Sequence, residues 1–267
     1  MKILLRPCLL AALSLLALNC VRAQTVLVNL DFDNSDDRLA QTGLADITFS
    51  PSLGTVTYGA GVDGGTAAVF DGESSLQASG TPVTTALTVA FWMKTTTDNG
   101  LGGGSQWYEG AGLVDGELGG DTTDWGVSQL GTRLAFGIGS SDRTIFSSSD
   151  INTGNWIHVA VTWNTSGVMN LYLNGILEAT DTLASSDPRD TTNRFFVGQD
   201  LGGNAFAGSL DQIRIFDSVL TGEQITTLAA VPEPSTSALL AAGVLGLALL
   251  RRRQASIAPS ALRDLRG

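Results

Sequence analysis

The sequence predicts an all-β domain of two stacked antiparallel sheets, a sandwich or jelly roll, set between two apolar ends. Three observations predict it. Short apolar segments alternate with period two rather than 3.6. Clusters of Gly, Asp, Asn, Ser and Thr separate them. The segments alternate instead of running continuously apolar, which is the pattern of antiparallel sheets with one packed face each.

The elements follow in chain order. Lys2 and Arg6 precede an apolar run over residues 8–18, and Val21-Arg22-Ala23 then leads to Gln24. A basic head, an apolar core and a small-residue site make residues 1–23 a secretory signal helix, cleaved between Ala23 and Gln24. Cys8 and Cys20, the two cysteines of the chain, leave with it. The exported chain must then rely on core burial or metal rather than on disulfides. Residues 24–230 form one domain, long enough for a sizeable core.

Residues 26–32 read as the first strand. In 87–94 the side chains of Leu87, Val89, Phe91 and Met93 share a face, and in 156–163 so do Ile157, Val159, Val161 and Trp163. Asn174-Gly175 stands between two alternating segments and predicts a type I′ hairpin, because both central residues need positive φ. Further strands are expected at 125–129, 133–138, 194–198 and 208–216. Thr221-Gly222-Glu223-Gln224 fits a capping box and opens a short helix towards Leu228.

After the domain comes Pro232-Glu233-Pro234, then sixteen uncharged residues, 235–250, then Arg251-Arg252-Arg253. As a helix the apolar span is about 24 Å long, slightly short of a ~30 Å hydrocarbon core. The arginines can snorkel and favour the cytoplasmic side. The expectation is a sorting segment at 231–254 with a transmembrane helix at 235–250, followed by a short cytoplasmic tail, 255–267.

Charge narrows the partners. Residues 24–230 hold 24 acidic against 7 basic side chains, a net charge near −17, while the whole chain stands at −11. Such a surface repels nucleic acid and anionic lipid, and suits neutral ligands or cations.

Four stretches resemble the laminin-G-like, concanavalin A-like jelly roll. Phe91-Trp92-Met93-Lys94 is similar to its F-W-h-K strand, and residues 154–163 to G-x-W-x-H-V-A-h-T-h. Residues 171–175 are similar to L-Y-h-N-G. Residues 206–216, with 220–225 after them, are similar to F-x-G-x-h-D-x-h-R-I-[FY] and L-[ST]-x-E-x-I. The resemblance implies a two-sheet jelly roll, usually a binding or adhesion module, often directed at carbohydrate and often holding calcium. The tail, with Pro232, Glu233, Pro234 and Arg251, Arg252, Arg253, resembles the PEP-CTERM sorting signal. That implies bacterial export and recognition by an exosortase, a membrane protease cutting near the Pro-Glu-Pro. The stretch after the arginines, 254–267, is longer than that signal usually has.

The resemblance also frames the chemistry. Concanavalin A-like hydrolases carry their carboxylates on one strand as E-x-D-x-E. Here the nearest match is Leu113-Val114-Asp115-Gly116-Glu117, with leucine at the first acidic position. Glycosidic cleavage needs two positioned carboxylates, so a non-catalytic module is expected, with Asp115 and Glu117 lining a loop or binding face. A glycoside hydrolase or lyase, and a ligand-free structural matrix protein, are the alternatives. His158 is the one histidine, there is no G-x-S-x-G, H-E-x-x-H or P-loop, and one histidine with no cysteine in the exported chain makes zinc implausible. Trp107, Tyr108 and Trp125 flank a Gly/Asp-rich region, and exposed rings beside carboxylates would form a sugar platform. Trp125 sits in a strand-like segment, so a place in the core stays open for it. For calcium, which takes six to eight oxygens, the resemblance implies Asp211 facing a structural ion near the first strand. Asp31, Asp33 and the Asp71-Gly72 turn offer further oxygens. The other reading of Asp211 is a pair with Arg214 or a turn cap.

Overall fold

The computed structural model describes residues 24–230 apart from 37, 44–46, 80–83, 100, 102, 121–122, 141 and 190–193. The signal helix, the Ala23 side of the cleavage site, the sorting motif and the apolar span all lie outside the described residues. Among those described, no helix is long and apolar enough to cross a membrane.

Fifteen strands follow one another: β1 (Val26–Leu30), β2 (Phe49–Leu53), β3 (Thr57–Ala60), β4 (Thr66–Asp71), β5 (Ser75–Ala78), β6 (Ala86–Lys94), β7 (Ala111–Asp115) and β8 (Trp125–Leu130). Then come β9 (Arg133–Ile138), β10 (Arg143–Asp150), β11 (Ile157–Asn164), β12 (Met169–Leu173), β13 (Ile176–Asp181), β14 (Phe195–Val197) and β15 (Ala207–Phe216), closed by helix α1 (Gly222–Leu228). They form two antiparallel sheets. The eight-stranded one runs β13-β12-β11-β6-β15-β4-β3, with β1 also paired to β15; the seven-stranded one runs β10-β9-β8-β7-β14-β5-β2. This is the two-sheet jelly roll that the alternation predicts.

The core lies between the sheets. Leu87, Val89, Phe91 and Met93 of β6 meet it together with Ile157, Val159, Val161 and Trp163 of β11, every one of them buried. The strand pattern understates burial on the other face. Thr88, Ala90 and Trp92, with His158, Ala160 and Thr162, are also buried. Part of the cover is α1, whose Ile225 packs with Ala90, Ala160, Phe216 and Leu220. The helix starts as expected, with Thr221 accepting from the Gln224 N–H and Gln224 reaching back to the Thr221 N–H.

The Asn174-Gly175 turn holds φ of 51° and 79° and joins β12 to β13, as its type demands. Pro51 sits in β2, at the edge of its sheet, where a missing N–H costs no ladder bond. The strands at 49–53, 57–60, 66–71, 75–78, 111–115 and 143–150 had no strong alternation to announce them. In β2, four of the five residues are exposed, so no buried face prints a pattern.

Candidate functional site

β7 decides the site. Its pairing with β8 slips between Gly112 and Val114, so Leu113 and Val114 both enter the core. The bulge then turns Asp115 to the outer face of the seven-stranded sheet. There Asp115 stands opposite Gly126 of β8, which stands opposite Gly137 of β9.

These two strand glycines make room for Trp107. A Cβ on Gly126 would lie 2.6 Å from Asp115 Oδ2 and overlap the Trp107 indole; one on Gly137 would fall inside that ring. Trp107 belongs to a single 3-10 turn, Trp107–Glu109, held by Glu109 accepting from the Ser105 and Gln106 N–H groups. The Trp107 N–H donates to Thr144 Oγ1, and its carbonyl accepts from the Ser128 hydroxyl. The indole is 1% exposed and packs with Leu130, Ala135 and Phe146.

This corrects the expected platform. Trp107 is a plug in the sheet face, not an exposed ring. Trp125, also 1% exposed, points into the core, because alternation with Gly126 turns it inward. Tyr108 alone of the three aromatics reaches solvent, at 37%, with its ring edge-on to Trp107 at 5.7 Å. Trp107 and the carboxylates therefore do not line one open groove.

Around Tyr108 the charge is acidic. Asp115 is fully buried; its Oδ1 accepts from the Glu117 N–H and its Oδ2 has no partner. Burial, then the charges of Glu117, Asp200 and Asp124, hold its carboxyl well above the usual range. Glu117 is half-buried, and burial with the charges of Asp200 and Asp124 pushes it up to about 7. Asp200 is raised by burial, though it grips the Asn204 backbone N–H and side-chain amide, each at 2.6 Å. The Tyr108 phenol is raised by burial and by Asp142, Glu109 and Glu117. Asp124 and Asp200 escaped the sequence reading, since only the fold brings them to Glu117. The Trp107 seat had a signal: glycines inside strands mark a close approach, and Gly126 and Gly137 sit in two such strands.

The second acidic group lies on the eight-stranded sheet. Asp211 of β15 is 1% exposed, its Oδ2 accepting from the Val62 N–H at 2.9 Å and its Oδ1 from the Gln212 N–H at 2.8 Å. Burial, with Asp63 and Asp33, pushes it up to about 7. Gln212 takes a φ of 48° in the bulge that follows and donates to Asp63 Oδ2. Asp33 Oδ1 accepts from the Thr66 N–H, and Asp31 caps the Asp33 N–H. The alternative reading, a pair of Asp211 with Arg214, is not formed as a hydrogen bond: Arg214 donates to Asn29 Oδ1 and Gln212 Oε1. Asp71 does not join this group. It faces Ala207, four residues along β15 from Asp211, which sets Asp71 about 13 Å away along the strand. There it caps its own turn through the Glu73 N–H.

Calcium fits this arrangement poorly. Both Asp211 oxygens face backbone donors, and among the described residues no three Asp, Glu, His or Cys side chains stand where they could hold a metal ion.

Residues 230–253 match the PEP-CTERM protein-sorting motif, which marks export and sorting to the cell envelope. Human pentraxin-related protein PTX3 is 30% identical over 104 residues, 34% of this chain; the match spans 27% of that protein's length. Among solved structures, domain 4 of AbnA, a GH43 extracellular arabinanase of Geobacillus stearothermophilus in complex with arabinotriose, superposes with a TM-score of 0.56 at 21% identity. It covers 77% of this chain and 98% of that one. The receptor-binding domain of botulinum neurotoxin D gives a TM-score of 0.57 at 14% identity, covering 77% of this chain and 52% of that one. At these identities the likeness speaks to fold alone. Residues 70–226 match the concanavalin A-like lectin/glucanases family Laminin_G_3, and with the jelly roll described above the chain belongs to that superfamily.

Proposed function

We propose that this protein is an exported, non-catalytic glycan-binding module of the cell envelope or extracellular matrix, processed by an exosortase-type membrane protease. The observation that carries the reading is the rim at the end of β7. There the exposed face of Tyr108 stands among Glu117, Glu109 and Asp142, which all act on its phenol. One apolar ring beside a few oriented acceptors is what a neutral sugar needs: C–H groups pack on the ring and hydroxyls donate to carboxylates. Two structural neighbours, the arabinanase domain in complex with arabinotriose and botulinum neurotoxin type C, whose cell entry depends on interaction with two ganglioside molecules, support a sugar ligand by analogy of fold.

The hydrolase reading loses its support on β7. Leu113 occupies the first acidic position and is buried in the core, and Asp115 is sealed beneath Trp107 and away from water. A polysaccharide backbone does not reach it. Export leaves the apolar span 235–250 in the bilayer, with Arg251 to Arg253 on the cytoplasmic side, until cleavage near Pro232-Glu233-Pro234.

A glycan array with the purified domain tests the reading, followed by titration of the best ligand into Tyr108→Ala. The expected result is at least a tenfold loss of affinity, since the ring supplies the stacking surface. Unchanged affinity would remove this rim as the site. Failure to bind any glycan would favour a structural matrix protein.

A further inference from the structure

We infer that the tip of the β12–β13 hairpin is a membrane-docking face, seated on the bilayer surface while the chain is still tethered by its C-terminal span. This rests on the reading of residues 235–250 as that span.

The tip is Asn174-Gly175, followed by Ile176 and Leu177, which are 68% and 51% exposed. Scattered exposed apolar side chains are common. What sets these two apart is that they are adjacent, open β13 directly after the turn, and lie beside the chain's exit from the domain. Helix α1 ends at Leu228, and its second half rests on the turn. A Cβ on Gly175 would stand 3.1 Å from Thr226 Cα and 3.5 Å from Ala229 Cβ, and Thr226 Oγ1 donates to the Gly175 carbonyl.

From Ala230 only four residues, Val231 to Pro234, precede the sixteen uncharged ones. Fully extended, they reach about 14 Å, and two prolines stiffen them. Whatever the tilt of the domain, its nearest surface to lipid is therefore the end of α1 and the turn beneath it.

Electrostatics agree. The domain is acidic, and an acidic face would resist an anionic membrane, but this tip carries no charge. The one acid beside it, Glu178, is the bulged residue of β13. Its carboxylate is turned aside, accepting from the N–H groups and hydroxyls of Ser148 and Ser149 on β10. Glu223 lies in the first turn of α1, at the end of the helix away from the hairpin. An uncharged aliphatic pair, tethered within a few residues of a span, enters the headgroup boundary as such side chains do on interfacial helices.

The experiment uses the chain from Gln24 to Gly267, which holds no cysteine once residues 1–23 are removed, so that one introduced cysteine carries a bimane label and flotation reports the C-terminal span alone. Ile176→Cys and Leu177→Cys report the tip. Leu183→Cys, also exposed (69%), lies beyond the far end of β13 and serves as control. Each protein is reconstituted into phosphatidylcholine vesicles containing dibrominated acyl chains, floated on a density gradient, and checked by thermal melting. The expected result is co-flotation, with quenching at 176 and 177 at least threefold that at 183. Flotation with equal quenching at all three sites overturns the docking face and leaves the span intact. Failure to float overturns the span, and the docking face falls with it.

Discussion

Gly137→Ala should eject Trp107 from the sheet. The added methyl would fall inside the indole, and the backbone of β9 is fixed between β8 and β10, so the ring must move. Trp107 is 1% exposed and covers Gly126, Leu130 and Ala135. Full truncation of such a residue costs about 3–5 kcal/mol. Displacement preserves some contacts, and alanine regains roughly 0.5–1 kcal/mol over glycine in a strand. The net loss is then about 2–4 kcal/mol. For a domain of this size each kcal/mol lowers Tm by roughly 2–4 °C, so the expected shift is on the order of 4–16 °C. Urea unfolding and calorimetry measure it. The double-mutant cycle makes it specific: in a Trp107→Ala background, Gly137→Ala should cost under about 0.5 kcal/mol, leaving a coupling of about 1.5 kcal/mol or more. An equal cost in both backgrounds would refute the plug, because the glycine would then be needed for something other than the indole.

Three further expectations concern charge. Asp115 has a raised carboxyl in the fold, so the unfolded chain ionises first and stability falls as pH rises above ~4; Asp115→Asn removes this loss and should gain on the wild type by up to about 1.4 kcal/mol per pH unit until Asp115 ionises in the fold. His158 shifts the opposite way: burial, with Arg214 nearby, lowers it to about 4. Its contribution is present above the unfolded value of ~6.5 and lost as pH falls towards 4, so the gap between wild type and His158→Gln should narrow by about 3 kcal/mol across that window, read by urea melts at each pH. Chelation with EDTA should leave Tm unchanged, since Asp211, Asp33 and Asp63 are held by backbone and amide donors; a clear drop would restore structural calcium.

Much of the architecture could be read from the residues. β6 and β11 show a core face in plain alternation, and Asn174-Gly175 names its own turn. The capping box of α1 was equally readable, because a helix start is a local event. What stayed hidden depends on neighbours distant in sequence. The outer-face burial of Trp92 and His158 comes from cover by other segments. Asp200 meets Glu117 only through the segment after β14, where the Leu201 backbone hydrogen-bonds Glu117. The aromatic platform failed because burial of Trp107 is decided by two glycines, 19 and 30 residues away in the chain. The β7 bulge likewise breaks the simple parity that would have kept Leu113 and Asp115 on one face.

The most direct test runs a glycan panel past the wild type, Tyr108→Ala and Glu117→Gln, recording bound ligand and newly formed reducing ends on the same samples. The account predicts saturable binding by the wild type, a tenfold or greater loss in Tyr108→Ala, and no reducing ends from any of the three. Release of reducing ends by the wild type, abolished in Glu117→Gln, would make the protein an enzyme and contradict it.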